Sequence, residues 1–408
     1  MKVRPRVPFA VPETGSAEAP AVVLGAGYAG LRVAHELRRR SRKTVPVVLV
    51  DRSPVHVLRT ELYEVGAIAD AERTRRRFTL PLEELVRRDG IVFRQGSVTG
   101  IDLEGRSIEL GDDHLSYRSL AICLGNVAAF YGVKGAEEHT YQVYRYSGAV
   151  RLAEAVRGLE ARSSAMPPGR RPRMVVIGGG STGTEVAAEI ATADWRGIAG
   201  PDSRPPEVIL VCGALPFLAG LPPGLVRHAR DLLYEAGVVL HEGANVREVA
   251  PDRAILDDGT TFPFDLAVWA AGVQAPEVIK ALPVPHGRGG RLKVDEHLEL
   301  VGRPGVFGVG DVVEFEDPRT HMVVPSTAQA ALAEAPVAAA NLVARWTGTA
   351  MRPFHYRERG VFVALGVGRA AGKLSRVTIW GSPARLVKTL IQKEYTSATE
   401  HGRTPPGL

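Results

Sequence analysis

Two glycine-rich stretches carry the chemistry that this sequence announces. In the first, the apolar run Ala21-Val22-Val23-Leu24 breaks into Gly25-Ala26-Gly27-Tyr28-Ala29-Gly30 and resumes as a helical pattern from Leu31 to Arg40. That spacing lets the backbone turn sharply at Gly25, lets a pyrophosphate approach Gly27 with no side chain in the way, and packs helix on strand at Gly30. Unpaired N–H groups at the helix start then face the phosphates. A further apolar strand, 45–50, ends in Asp51, about twenty residues beyond the loop, where an acidic side chain takes the ribose hydroxyls of an adenine dinucleotide. In the second stretch the strand Met174-Val175-Val176-Ile177 leads into Gly178-Gly179-Gly180-Ser181-Thr182-Gly183, a helix over 184–193 and a later strand over 208–211. The repeat reads as an internal duplication of a nucleotide-binding unit.

The elements that must position these loops follow from patterning. After Asp51 a long connection reaches Phe78. A short helix opened by Pro81 runs through Leu85, and short strands follow at 91–93 and over 98–110. The buried strand Leu120-Ala121-Ile122-Cys123-Leu124 closes on Gly125. A helix over 147–157 and a Pro/Arg-rich linker, 166–173, precede the second loop. A Gly/Pro-rich loop at 197–206, a helix over 222–236 and strands at 238–240, 246–249 and 266–270 complete that unit. The strand Val306-Phe307-Gly308-Val309 ends in Gly310-Asp311, and Ser326-Thr327 is placed to cap a helix that Pro336 is expected to kink and that continues to about Arg345. Strands at 361–365 and 377–380 and a helix over 383–395 close the chain.

Composition sets the class. The chain has 408 residues, 45% hydrophobic and 24% charged, as expected of an ordinary globular protein of two or three domains. No apolar run reaches the roughly 18 residues that a spanning helix needs, and the first twenty residues lack a signal-like apolar segment. They read as a flexible lead-in, and the protein is expected in the cytoplasm. Cys123 and Cys212, the only 2 cysteines, lie in apolar strand-like runs and fit reduced, buried thiols. No metal-ligand spacing appears among them and the 11 histidines, so no metal is expected. Net charge is +6, with basic clusters at Arg38-Arg39-Arg40 with Arg42-Lys43, at Arg73 with Arg75-Arg76-Arg77, and at Arg87-Arg88. These read as solvated faces, with attraction to an anionic membrane surface as the alternative; nucleic acid is not an expected partner.

Together the motifs resemble the two-dinucleotide-binding-domain flavoproteins and, within them, the type II NADH dehydrogenases. The resemblance spans about residues 20–380. It rests on Gly25 to Gly30, Leu62-Tyr63-Glu64-Val65, Gly178 to Glu185, Trp269-Ala270-Ala271-Gly272-Val273, Gly308-Val309-Gly310-Asp311 and Ser326-Thr327-Ala328-Gln329. It implies an α/β fold with two Rossmann-like dinucleotide-binding domains plus a small C-terminal α+β domain. After the lead-in of 1–20, 21–146 and 293–350 form the FAD-binding domain, 147–292 the NAD(P)H-binding domain and 351–408 the C-terminal domain, the last with a membrane-surface or dimer contact. The implied activity passes a hydride from NADH to FAD and two electrons on to a quinone, without proton pumping, on the inner face of the cell membrane. FAD is implied at Gly25, Gly27, Gly30, Asp51, Gly310 and Asp311, whose carboxylate can accept from ribityl hydroxyls; the nicotinamide nucleotide is implied at Gly178, Gly180, Gly183 and Gly272. Val98, Gly125, Ala328, Gln329 and Glu185 complete the implied cofactor contacts. Glu185, Gln329 and Arg359 are the implied catalytic residues, Gln329 near the flavin in the first turn of a helix whose positive end faces the isoalloxazine.

Four features depart from the family pattern. Cys212, followed by Gly213, stands where an acid should take the ribose 2′-hydroxyl, and no cation follows to meet a 2′-phosphate, so NADPH stays open beside NADH. Ala333, followed by Glu334, replaces a second Gln. Arg359 replaces a Lys, keeping charge but not shape. The C-terminus is short, with Arg385, Lys388 and Lys393 alternating with Leu386, Val387, Leu390 and Ile391, which reads as a basic amphipathic helix for a membrane surface or for its own domain. Sulfide:quinone and disulfide reductases need a cysteine pair beside the flavin, and Cys123 and Cys212 are not placed for it. A soluble flavin-dependent NAD(P)H oxidoreductase, or a redox-sensing flavoprotein with a non-quinone partner, is the competing reading.

Overall fold

The strand Ala21–Leu24 sits at the centre of a five-stranded sheet, in the order Val306–Gly308, Ser119–Ile122, Ala21–Leu24, Val47–Asp51, Val92–Gln95. All its pairings are parallel, so every carboxyl end points to one edge. Uninterrupted apolar sequence explains its central place: Ala21 to Leu24 are buried on both faces, as strands covered by helices on one side and a β layer on the other must be. The helices Tyr28–Arg40 and Ala328–Thr347 pack together on one face, and Ile108 and Leu115 of an antiparallel β-sheet pack on the other. The edge strand Val306–Gly308 arrives from late in the chain, which brings Gly310 and Asp311 beside the first glycine loop. This is a computed structural model describing residues 19–67, 77–163, 166–167, 170–195 and 205–401. Most of the expected lead-in, the cluster at Arg73, Arg75 and Arg76, and most of the loop at 197–206 lie outside the described residues.

The second unit repeats the plan. Its parallel sheet runs Val239–His241, Glu207–Val211, Arg173–Ile177, Leu266–Trp269, with the helix Ser181–Thr192 after the loop. A short antiparallel ribbon, Val127–Ala128 with Val273–Gln274, ties the two units together. The helix Ala328–Thr347 runs through Pro336, with Thr327 accepting from the Ala330 N–H at 3.2 Å as its cap. Beyond it, Gly360–Ala364, Ala370–Leu374 and Val377–Gly381 form an antiparallel sheet followed by the helix Ser382–Glu400. The middle strand of that sheet escapes sequence patterning because Ala370-Ala371-Gly372 carries no β-branched or aromatic signal.

Both loops turn on a glycine in the region that side chains avoid, Gly25 at φ 93° and Gly178 at φ 123°. Their last glycines serve packing instead. A Cβ on Gly30 would collide with the Gly25 carbonyl and lie 3.1 Å from Cys123 Cβ. Gly30→Ala should therefore push the helix off its strand and cost about 1–3 kcal/mol, the usual range for overpacking; a denaturation midpoint equal to wild type would show that the helix does not need this approach.

Candidate active site

The carboxyl edges of both sheets open into one cavity of about 920 Å³, at the upper end of the range for ligand sites. The first unit contributes Gly27, Gly125, Gly310, Asp311 and Ala328 to its wall; the second contributes Gly178, Gly180, Glu185 and Gly272. Both loop helices begin without a side-chain cap, at Gly27 and Gly180, and a Cβ at either glycine would meet nothing within 4 Å. Two uncapped N-termini facing open space fit two anionic pyrophosphates, so the residues present suit FAD in one half and a nicotinamide nucleotide in the other.

Other sequence-derived positions lie behind this wall. Gly25, Gly30 and Gly183 are spent on turning and packing. Asp51 takes the Ala26 N–H at 2.7 Å and the Ser53 N–H at 2.8 Å, pinning the first loop from below. Val98 packs against the apolar layer under the first sheet. Gln329 is turned toward the C-terminal sheet: its Oε1 accepts from the Arg359 N–H at 2.9 Å and the Tyr356 hydroxyl at 3.1 Å, and its Nε2 donates to the Gly360 carbonyl at 3.2 Å. Arg359 is exposed. The two residues thus join each other and fix the start of the strand that places Val361 and Phe362 in the cavity wall.

Asp311 is oriented by groups that sequence reasoning did not single out. Asn126 Nδ2 donates to it at 2.7 Å, and Asn126 Oδ1 in turn accepts from Arg59 Nη2 at 2.6 Å. Behind the same turn Glu334 accepts the Gly310 N–H at 2.6 Å; burial pushes its carboxyl up to about 8. No signal distinguishes Arg59 and Asn126 in the sequence, because Arg59 opens a short 3₁₀ stretch and Asn126 lies in a loop, both of ordinary polarity.

The largest surprise is the final helix. Arg385 and Lys388, left open in the sequence between a membrane surface and the helix's own domain, turn inward. Arg385 donates to the Tyr63 hydroxyl at 2.8 Å and to Glu64 Oε1 at 2.8 Å. Lys388 lines the cavity, donates to Glu185 Oε1 and stands 4.7 Å from the Tyr63 ring centroid. Glu185 Oε1 also accepts from the Ala364 N–H at 3.0 Å. One turn further along its helix Glu189 is buried with Oε2 unpartnered, and burial pushes its carboxyl up to about 7. In sequence Lys388 looked like any cation of an amphipathic helix.

The buried Glu334 gives a pH test. Its carboxyl protonates more readily in the folded chain, about 8 against 4.5, so the folded state holds the extra proton between those values and its stability falls as pH rises through that window. Glu334→Gln keeps an acceptor for Gly310 without the charge. The variant should be more stable than wild type at pH 8, with the gap closing toward pH 5; denaturation curves that run parallel across that range would contradict the assignment.

The comparisons with known proteins agree with this geometry. Residues 19–335 match the family model for pyridine nucleotide-disulphide oxidoreductases. An NADH dehydrogenase-like protein of Mycobacterium tuberculosis is 32% identical over 316 residues, 75% of either chain. A type II NADH:quinone oxidoreductase of Staphylococcus aureus is 26% identical over 384 residues, 91% of this chain and 93% of the relative. In fold, an NDH2 of Plasmodium falciparum solved with NADH superposes with a TM-score of 0.80 at 15% identity, covering 94% of this chain and 96% of the other. The chain accordingly belongs to the pyridine nucleotide-disulphide oxidoreductase family, as a flavoprotein of its type II NADH dehydrogenase branch.

Proposed function

We propose that the protein oxidises NADH and reduces a quinone by two electrons. The observation that carries this reading is the single cavity in which two uncapped loop helices meet a buried Glu185–Lys388 pair. FAD held there would supply the hydride-accepting and two-electron-donating chemistry between NADH and the quinone. The chain's own residues bind, orient and hold protons. Gly27, the helix start at Tyr28, and Asp311 with Asn126 and Arg59 behind it hold the resident dinucleotide, while Gly178, Gly180 and Gly272 take the nicotinamide nucleotide. Cys212, only 7% exposed and packed under Gly179, offers no acceptor to a ribose 2′-hydroxyl and no cation to a phosphate, so discrimination against NADPH is weak.

NADH, one proton and a quinone become NAD⁺ and a quinol, so one proton must come from outside the nucleotide. Lys388 Nζ and Glu185 Oε1 hold such a proton at the cavity wall, and Glu189 one turn behind can replace it. Gln329 and Arg359 act at one remove, by setting the strand that carries Val361 and Phe362. The double variant Glu185→Gln with Lys388→Met leaves no unpaired charge. In anaerobic stopped flow it should keep flavin reduction by NADH within a few-fold of wild type and slow reoxidation by a short-chain quinone about tenfold, a hydrogen bond's worth of roughly 1–2 kcal/mol. If ferricyanide or oxygen reoxidises the wild-type flavin and quinone does not, the acceptor is another molecule.

The same inward turn of the cations leaves the final helix with its leucines outside. Leu386 and Leu390 are 60% and 56% exposed, Trp380 and Val377 on the strand before the helix are 50% and 61% exposed, and Arg376 in the turn before that strand and Lys393 of the helix are exposed as well. No helix among the described residues is long and apolar enough to cross a membrane. An apolar patch with cations at its rim suits the surface of an anionic bilayer, on the cytoplasmic side where NADH is available. Leu386→Ser with Leu390→Ser should weaken co-sedimentation with anionic vesicles and leave turnover of a soluble quinone unchanged; unaltered sedimentation would instead point to a second copy of the chain on this face.

A further inference from the structure

Between Phe130 and Val133 the chain makes a tight turn, closed by the Val133 N–H on the Phe130 carbonyl at 2.9 Å. Its central residues, Tyr131 and Gly132, both have positive φ, 52° and 72°. That is the type I′ arrangement, whose first central position is dominated by Asn, Asp and Gly. A tyrosine there is strained, and its ring gains little from burial to offset the strain, being 69% exposed. Non-glycine residues held in this region concentrate where function requires them.

The ring is not idle on the surface. It lines the cavity, and its hydroxyl occupies the space that a Cβ on Gly272 would need, so Gly272 is open to the ring rather than to solvent. Gly272 lies two residues beyond Ala270, whose carbonyl sits against Gly178 of the second loop, and the ribbon beside it joins the two nucleotide units. A nicotinamide nucleotide laid along Gly178 and Gly180 has to pass this point to reach the flavin half.

We propose that Tyr131 is a nucleotide-binding residue, its ring, seated on Gly272, forming the part of the cavity wall against which the nicotinamide nucleotide lies. The inference rests on the reading of Gly178–Gly183 as the nicotinamide loop. An aromatic face in contact with the nucleotide adds affinity, and the strained turn is retained because it delivers that face to the seam.

Tyr131→Asn suits the turn and removes the ring, while Tyr131→Phe keeps the ring and loses the hydroxyl. Calorimetric titration of the FAD-loaded enzyme with NAD⁺ should show dissociation constants about tenfold weaker for Tyr131→Asn and within about threefold of wild type for Tyr131→Phe. The melting temperature of Tyr131→Asn should equal or exceed that of wild type, since the strain is relieved, and the limiting rate of flavin reduction at saturating NADH should stay within about threefold. Wild-type NAD⁺ binding is the control on the underlying reading: if wild type binds no nucleotide, that reading and this inference fall together. If wild type binds and Tyr131→Asn binds equally well, the inference alone is overturned. A lowered melting temperature in Tyr131→Asn with unchanged affinity would make the turn structural and would overturn it as well.

Discussion

A buried ammonium–carboxylate pair, Lys388 with Glu185, fixes how the parts of this chain meet. Taking two charges out of water costs several kcal/mol per ion, and an apolar pair of the same volume often holds a fold as well or better. The pair persists because its site is over-determined. The Ala364 N–H reaches Glu185 Oε1, the Tyr63 ring lies under the ammonium, and Arg385 anchors the same helix to Tyr63 and Glu64. Three distant segments are registered at one point: the 3₁₀ stretch Arg59–Ala67 of the first unit, the helix Ser181–Thr192 of the second and the final helix. The direction of the final helix follows. With Arg385 and Lys388 committed inward, Leu386 and Leu390 are left on the outer side.

Much of the frame was legible in the sequence, for a physical reason. Strands buried on both faces must be apolar without interruption, and a backbone that passes phosphates must be glycine, so Ala21–Leu24, Arg173–Ile177 and both loops declare themselves. The cap at Thr327 and the returning strand at Val306 were equally open to reading. What the sequence hides is direction. Gln329 has the spacing of a residue that faces the flavin, yet its amide is satisfied by the backbone of Arg359 and Gly360. Lys388 has the spacing of a surface cation, yet it is buried. In both cases the deciding partner lies far away in the chain, and helical periodicity reports which residues share a face without reporting what that face meets.

The two glycine loops share a plan and differ in their side-chain anchors, and the difference matches the tasks proposed for them. In the first, Asp51 pins the Ala26 N–H while His56 Nδ1 pairs with the Ala26 carbonyl at 2.8 Å; the other ring nitrogen of His56 meets the Tyr395 hydroxyl at 3.0 Å, which ties the loop to the last helix. Burial lowers the proton affinity of His56, so a neutral ring that donates from Nδ1 and accepts at Nε2 suits both partners. In the second loop the place of Asp51 belongs to Cys212, whose thiol packs under Gly179 with its acidity suppressed, pushed up to about 12 by burial. A thiol in that state fills space but offers the loop no charge-assisted hydrogen bond. A resident cofactor gains from a loop rigid before binding, because less ordering remains to oppose affinity. A nucleotide that must leave on every turnover is better served by fewer fixed contacts, and the exchange of a carboxylate for a thiol at one strand end makes that distinction with the fold unchanged.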